Sequence, residues 1–373
     1  MTPIRQNVLG MKPYPPGKPI SEVKRELGLE KVVKLASNEN PFGPAPKAIE
    51  AVQKAAFEMH HYPDGSVFEL KQVLSAKYGV PTDQIMVGNG SDELIHLVGM
   101  VLLGSPDDEM IVGDPSFSRY DASAYLAPSK LIKVPLDSDF RHDLPAMARA
   151  VTESTKILWI ANPNNPTGTI VRKPEVDRLL RDIPSSVLVV LDEAYFEFAE
   201  HEPGFPISTE YLAQGHNVLG LRTLSKIYGL AGIRIGFGFG LSYLVDAVHR
   251  AKEPFNVNSL AQVAAIAAFD DEDHLRKTID NNRLGIQRLN RVFEELGCKP
   301  CKSFGNFVYV DLGRPAKGVF DELLKEGVIT RTGDVFGQPN CMRITVGTPE
   351  EMDFFVEKLA KCSAFIREGI SSG

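Results

Sequence analysis

Between residues 84 and 239 the chain alternates short aliphatic runs with longer stretches whose apolar residues recur every three or four positions. The short runs, 84–87, 109–112, 130–134, 156–160, 187–191, 217–221 and 235–239, have strand length. The stretches 91–103, 117–126, 143–151 and 174–182 carry the helical period. Alternation of this kind predicts an α/β fold, a doubly wound and mostly parallel sheet with helices on both faces. Val187 to Leu191 are five aliphatics in a row, the pattern of a central strand buried on both sides.

The pattern changes past residue 255. Residues 258–297 read as helix, interrupted near Asp270. Strand 306–311, helix 315–326, strands 328–331 and 342–346, and helix 348–367 follow. This predicts a smaller α+β unit. Residues 1–30 contain Pro13, Pro15, Pro16, Gly17 and Pro19, and such a segment is hard to pack alone. The expected organisation is an N-terminal arm (1–30), a large domain (31–255) and a small C-terminal domain (256–373) that the arm joins. A chain of 373 residues suits two domains, since single cores stop growing at roughly 250–300 residues.

Composition narrows the function classes. Net charge is −7 without a block of like charges, so the basic face that nucleic acid requires is missing. The first residues, Met1-Thr2-Pro3-Ile4-Arg5-Gln6, lack the apolar core of a signal peptide. No run approaches the ~18 apolar residues of a membrane span. A cytoplasmic protein is expected. Of the four cysteines only Cys298 and Cys301 form a C-x-x-C, with no second pair to complete a zinc site. They read as reduced structural thiols, and no metal is expected.

Ligands of open α/β sheets sit outside the carboxyl ends of the strands, and four motifs fall there. Gly88-Asn89-Gly90-Ser91-Asp92-Glu93 joins a strand to a helix; its free N–H groups suit a phosphate, and Glu93 in place of a third glycine argues against a dinucleotide turn. Asn162-Pro163-Asn164-Asn165-Pro166-Thr167-Gly168 predicts a rigid, extended loop presenting an amide. Asp192-Glu193-Ala194-Tyr195 puts a carboxylate straight after the buried strand, where it needs a cationic partner. Thr223-Leu224-Ser225-Lys226, followed by Gly229, Gly232 and Arg234, offers an amine nucleophile. Each has a plain structural reading in isolation: a capped helix start at Ser91 or Asp92, an Asn/Pro turn, a capping Asp, a surface lysine.

Their order and spacing together resemble the fold type I aminotransferases that depend on pyridoxal-5′-phosphate (PLP), over nearly the whole chain. Among these the sequence is most similar to the histidinol-phosphate aminotransferase family. The residues that carry this closer likeness are Met11-Lys12-Pro13-Tyr14-Pro15-Pro16-Gly17, Ala36-Ser37-Asn38-Glu39-Asn40-Pro41, Tyr62-Pro63-Asp64, Ser303 with Asn306-Phe307, and Met342-Arg343-Ile344-Thr345-Val346-Gly347.

The resemblance implies that Lys226 holds the cofactor as a Schiff base and then moves the substrate proton. It implies that Asp192 pairs with the pyridine nitrogen, and that Asn165 and Tyr195 donate to the ring's phenolic oxygen. Phe117 stacks on the ring, where many relatives have tyrosine. Gly90, Ser91, Asp92, Ser225 and Arg234 hold the phosphate, with Tyr62 reaching it from the second subunit of a homodimer. Arg343 and Arg331 are the candidates for substrate anions, with Tyr14 and Asn306 beside them. The implied reaction joins imidazole acetol phosphate and glutamate to give histidinol phosphate and 2-oxoglutarate. An aromatic aminotransferase and a threonine-phosphate decarboxylase share these motifs. A P-loop ATPase would need G-x-x-x-x-G-K-[ST] upstream of Asp192, and the chain has none.

Overall fold

The computed structural model describes residues 2–11, 13, 17–362 and 366. Tyr14 and its neighbours Pro15 and Pro16 lie outside the described residues.

After a short strand β1 (Val33–Lys34), seven strands build the large sheet: β2 (Ile85–Gly88), β3 (Glu109–Asp114), β4 (Lys130–Pro135), β5 (Thr155–Ala161), β6 (Leu188–Asp192), β7 (Val218–Thr223) and β8 (Gly236–Phe239). Their order is β2-β8-β7-β6-β5-β3-β4. Among the described strands of this sheet β8 runs antiparallel to both of its neighbours, β2 and β7, and the other six are parallel to one another. The sheet is therefore mostly parallel, as the alternation predicts, and the carboxyl ends of β5, β6 and β7 open side by side. Period-two alternation buries both faces of the central strands. On β5, Ile157, Trp159 and Ala161 join the core beneath helices Ser91–Leu102, Ser118–Leu126 and Ser242–Ala251. Leu158 and Ile160 join the opposite core, with Val176 and Leu179 of helix Lys173–Asp182. Helix Ser259–Phe269 contributes Ala261, Ala264, Ala265 and Ala268 to a third core shared with helix Pro46–Ala55.

Five further strands are β9 (Lys299–Pro300), β10 (Phe307–Asp311), β11 (Val328–Ile329), β12 (Arg331–Thr332) and β13 (Cys341–Thr345). Four form an antiparallel sheet of order β12-β13-β10-β9, while β11 pairs in parallel with β1. Helices Glu272–Glu295, Ala316–Lys325 and Pro349–Lys361 cover one face through Leu289, Phe293, Leu323, Phe355 and Leu359. Val33 and Leu35 belong to this same core. Alternation along β13 sends Met342 and Ile344 inward and leaves Arg343 and Thr345 facing the large sheet. The arm is not wholly irregular: its helix Ile20–Leu27 anchors through fully buried Val23 against Val32, Ala36 and Ile329.

The helical reading of 258–297 breaks at Asp270–Asp271, where Asp271 accepts from His274 N–H and starts the second helix. All four cysteines are free thiols, and burial pushes Cys298 up to about 11 and Cys301 up to about 12.

Candidate active site

A cavity of about 300 Å³ opens at the ends of β5, β6 and β7, where the large sheet meets the small one. Ten of the residues singled out in the sequence line it: Ser91, Asp92, Phe117, Asn165, Asp192, Tyr195, Ser225, Lys226, Arg234 and Arg343.

Asp192 closes the floor. It ends β6, is only 4% exposed, and takes hydrogen bonds from the Tyr120 hydroxyl (2.6 Å) and the Ala194 N–H (3.2 Å). Burial pushes its carboxyl up to about 6, against the opposing pull of those two donors. Tyr195, only 3% exposed, accepts a bond from Asn38 Nδ2 (2.8 Å) and packs edge-on to Phe307 (5.2 Å). Lys226 follows β7, and its Nζ lies 5.8 Å from the Tyr195 ring centre. Lysine and carboxylate thus enter one cavity from adjacent strands.

Glu193 and Arg222 fasten these two strand ends from behind. Both are 1% exposed, and Arg222 Nε donates to Glu193 Oε2 at 2.8 Å. Glu193 also accepts from Ser208 N–H and Ser208 Oγ. The guanidinium lies against the Phe196 ring, 3.3 Å from its centre.

The Gly90 turn forms one end. Gly90 has φ +80 and occupies the cap position itself, so the expected side-chain cap from Ser91 or Asp92 is absent. The first-turn N–H groups stay available to an anion. A Cβ on Gly90 would run into the Arg234 guanidinium, which also sits 3.7 Å from Asp92. A Cβ on Gly236 would come within 2.8 Å of the Gly90 carbonyl carbon, so β8 can approach the turn only as glycine. Thr223 Oγ1 and Ser225 Oγ pair at 3.0 Å beside it.

The loop after β5 corrects one expectation. It is compact, not extended: Asn162–Pro163 and Asn165–Pro166 are cis, and Asn164 N–H to Thr169 O (2.9 Å) and Gly168 N–H to Asn164 O (2.7 Å) fold it back. Asn164 is fully buried, tied to Ser116, Pro115 and Thr167, and leaves Asn165 at the cavity. Arg343 Nη1 donates to Asn165 Oδ1 (2.6 Å) and Nη2 to Ala36 O (2.7 Å).

Four singled-out residues do not line the cavity of this chain. Gly90 shapes it from beneath. Arg331 stands directly across from Arg343 in the β12–β13 register. Asn306 is buried behind Asn38, donating to its carbonyl at 3.0 Å. Tyr62 is 84% exposed and stacked on Phe255 at 4.9 Å. Tyr14 is outside the described residues.

The cavity also has walls that the sequence did not single out for a role: Ser37, Asn38, Arg119, Tyr120 and Thr223. Asn38 was visible as part of a motif. Tyr120 could have been suspected from its place three residues after Phe117 on a helix, one turn along the same face.

Comparison with known proteins places this geometry in context. A family model for class I and II aminotransferases matches residues 30–359. The histidinol-phosphate aminotransferase of Moorella thermoacetica is 47% identical, covering 96% of this chain and 93% of that protein. Histidinol-phosphate aminotransferase 2 of Carboxydothermus hydrogenoformans is 44% identical, covering 95% and 98%. The crystal structure of histidinol-phosphate aminotransferase from Sinorhizobium meliloti, in complex with pyridoxal-5′-phosphate, superposes with a TM-score of 0.87 at 28% identity, covering 100% and 98%.

Proposed function

The chain belongs to the class I and II aminotransferases, and on that premise we propose that it makes L-histidinol phosphate and 2-oxoglutarate from imidazole acetol phosphate and L-glutamate, using PLP. The observation that carries the reading is the shared cavity of Asp192 and Lys226, with Asn165, Tyr195, Ser225 and Arg234 around it. The names of the relatives at 47% and 44% identity support the substrate pair.

The donor set fits PLP. Asp192 is a buried carboxylate whose described hydrogen bonds come from neutral groups, and a protonated ring nitrogen is the cation it needs. Phe117 offers a flat apolar surface. The uncapped turn at Gly90–Ser91, with Ser225 and Arg234, suits the phosphate. Asn165 presents its oxygen to Arg343, which turns its amide N–H groups toward the ring's phenolic oxygen. Tyr195 accepts from Asn38, which leaves its own proton to donate there.

Bound PLP supplies an aldehyde for the amine and a conjugated ring that accepts the electron pair freed at the substrate α-carbon. Asp192 holds the proton on the ring nitrogen. Lys226 provides the anchoring amine and, once released, carries the proton away from the α-carbon. Arg343 and Arg331 bind the carboxylate or phosphate of either substrate, guanidinium forks being matched to both. Asn306 steadies Asn38 from behind, and Tyr14 would come from the arm.

We also assign the protein to the cytoplasm and to a homodimer. Among the described residues no helix is long and apolar enough to cross a membrane. Phe57, Met59, Tyr62 and Phe68 are between 61% and 84% exposed, an apolar patch that a second copy would cover while handing Tyr62 to the neighbouring site. The test is exchange of labelled amino groups between glutamate and histidinol phosphate. Exchange is expected. Transfer to phenylpyruvate alone, or carbon dioxide release without glutamate, would replace the substrate assignment.

A further inference from the structure

We propose that Tyr120 is a positioning residue for the cofactor, its hydroxyl keeping the Asp192 carboxylate ionised and turned toward the ring nitrogen. The inference rests on the PLP reading above and adds a residue to it.

Tyr120 is 1% exposed, on the helix that begins at Ser118. Its hydroxyl reaches Asp192 Oδ2 at 2.6 Å, the shorter of that carboxylate's two described bonds. Two rings fix the hydroxyl. Trp159 stacks on Tyr120 at 4.6 Å and 18°, and Phe117 meets it edge-on at 5.7 Å. Trp159 is itself pinned, donating to Met110 Sδ at 2.9 Å. A line of side chains therefore runs from β3 through β5 to the end of β6 and finishes on one carboxylate oxygen. Packing alone would not require the hydroxyl; phenylalanine would fill the same space.

The charge balance around Asp192 gives the hydroxyl its role. Asp92 and Glu193 both push the carboxylate toward protonation. Each has its own cation, Arg234 at 3.7 Å and Arg222 at 2.8 Å. Tyr195, Lys226 and Arg343 line the same cavity, with Lys226 Nζ 5.8 Å from the Tyr195 ring centre. Burial is the dominant influence on Asp192, and Tyr120 is the foremost group opposing it. Without that donor the carboxyl would take up its proton at higher pH, and so lose its attraction for a ring cation sooner as pH falls.

The experiment compares wild-type protein and Tyr120→Phe, both stripped of cofactor. Each is titrated across pH 5–8 with PLP and with 1-deaza-PLP, which has carbon in place of the ring nitrogen. Binding is read by cofactor absorbance and by quenching of Trp159, the chain's single tryptophan. Tyr120→Phe should weaken PLP at pH 7 by about 10- to 150-fold, the range of one hydrogen bond to a charged group. It should leave 1-deaza-PLP within about twofold, and it should move the acid limb of PLP binding to higher pH. Equal weakening of both cofactors, or an unmoved acid limb, overturns the proposal in favour of a packing role. If Tyr120→Phe does not fold, Trp159→Phe loosens the same support. It should lower the preference for PLP over 1-deaza-PLP by about two- to tenfold, and an unchanged preference is again a refutation. Wild-type protein that takes up no PLP at all would instead sink the functional reading, and this inference with it.

Discussion

Asp192 and Arg343 put opposite charges where water hardly reaches, at 4% and 6% exposure, yet they are held in different ways. Both bonds to Asp192 come from the large-sheet layer, one from Tyr120 and one from its own loop. The two described bonds from Arg343 leave its sheet: one crosses to Asn165 on the loop after β5 and one to Ala36 in the segment after β1. The floor of the cavity is thus complete within one layer. The wall exists only while two layers stay in register, and any shift of the small sheet would also turn Asn165. Chemistry placed on the floor is preorganised, whereas substrate recognition on the wall is coupled to how the layers sit.

The largest effect should come from the floor. Lys226→Ala removes the amine, and a general acid–base group alone contributes up to about 10⁴-fold. The glutamate half-reaction, followed by cofactor absorbance, should slow by at least that factor. A loss below about tenfold would move the proton-carrying role elsewhere and end the contrast between floor and wall.

Next comes the fastening beneath the floor. Removing one partner of a buried ion pair costs about 3–5 kcal/mol, and Arg222→Ala leaves Glu193 stranded at 1% exposure. Denaturant melts should register that loss. Arg178→Ala, at an exposed i,i+4 pair, should cost no more than about 0.5 kcal/mol. Comparable losses would mean that the two strand ends are held by something other than Glu193–Arg222.

The floor's carboxylate also gives a pH signature. Asp192 titrates at about 6 in the folded chain, above its ordinary 3.8. A raised carboxyl is a penalty present above the folded value and relieved as pH falls toward the ordinary one. The protein without cofactor should therefore gain roughly 2 kcal/mol from this group between pH 7 and pH 4. Glu197, pushed up to about 7 chiefly by burial, acts in the same direction. PLP binding should run the opposite way, weakening as pH drops through 6 because the protonated carboxyl no longer attracts the ring cation. Asp192→Asn should abolish its share of both trends. If the two trends share a sign, Asp192 is not the group being read.

Substitution on the wall should act on substrate rather than cofactor. Arg343→Ala removes charge-assisted bonds worth about 1.5–3 kcal/mol each. KM for glutamate and for histidinol phosphate should rise about 10- to 150-fold, with PLP affinity changed far less. A fall in PLP affinity as large as the rise in KM would show that the wall orients Asn165 more than it binds substrate.

The same contrast explains what the sequence reveals. Floor residues stand at the ends of aliphatic runs, so the strand that predicts the sheet also locates Asp192 and Lys226. Arg343 sits inside a short apolar strand, where an unpaired charge is costly, a mismatch legible beside the resemblance that names it. Tyr120 gives a weaker signal, its place three residues after Phe117: an aromatic on a helix otherwise reads as core, and the 2.6 Å bond to Asp192 is what assigns it to the site. The loop at 162–168 misled in shape because Pro residues announce rigidity without direction, and the turn is set by Asn164 and Thr169. Asn306 carries a motif, but its amide is spent on the Asn38 carbonyl, a partner far away in sequence.

The smallest effect tests whether the wall extends beyond one chain. Tyr62 is 84% exposed and stacked on Phe255, beside exposed Phe57 and Phe68. Tyr62→Phe keeps the stack and removes the hydroxyl, and one neutral hydrogen bond is worth about 1 kcal/mol. PLP affinity should fall about fivefold. The decisive measurement uses mixed dimers of Tyr62→Phe with Lys226→Ala. If Tyr62 serves the neighbouring subunit, the mixed dimer's one working site pairs an intact Lys226 with an intact Tyr62, and its PLP affinity returns to the wild-type value. If Tyr62 acts within its own chain, the working site lacks the hydroxyl and stays fivefold weaker. The magnitude is small, but the two outcomes differ in sign of rescue, so the geometry of the dimer is read without a large loss of function.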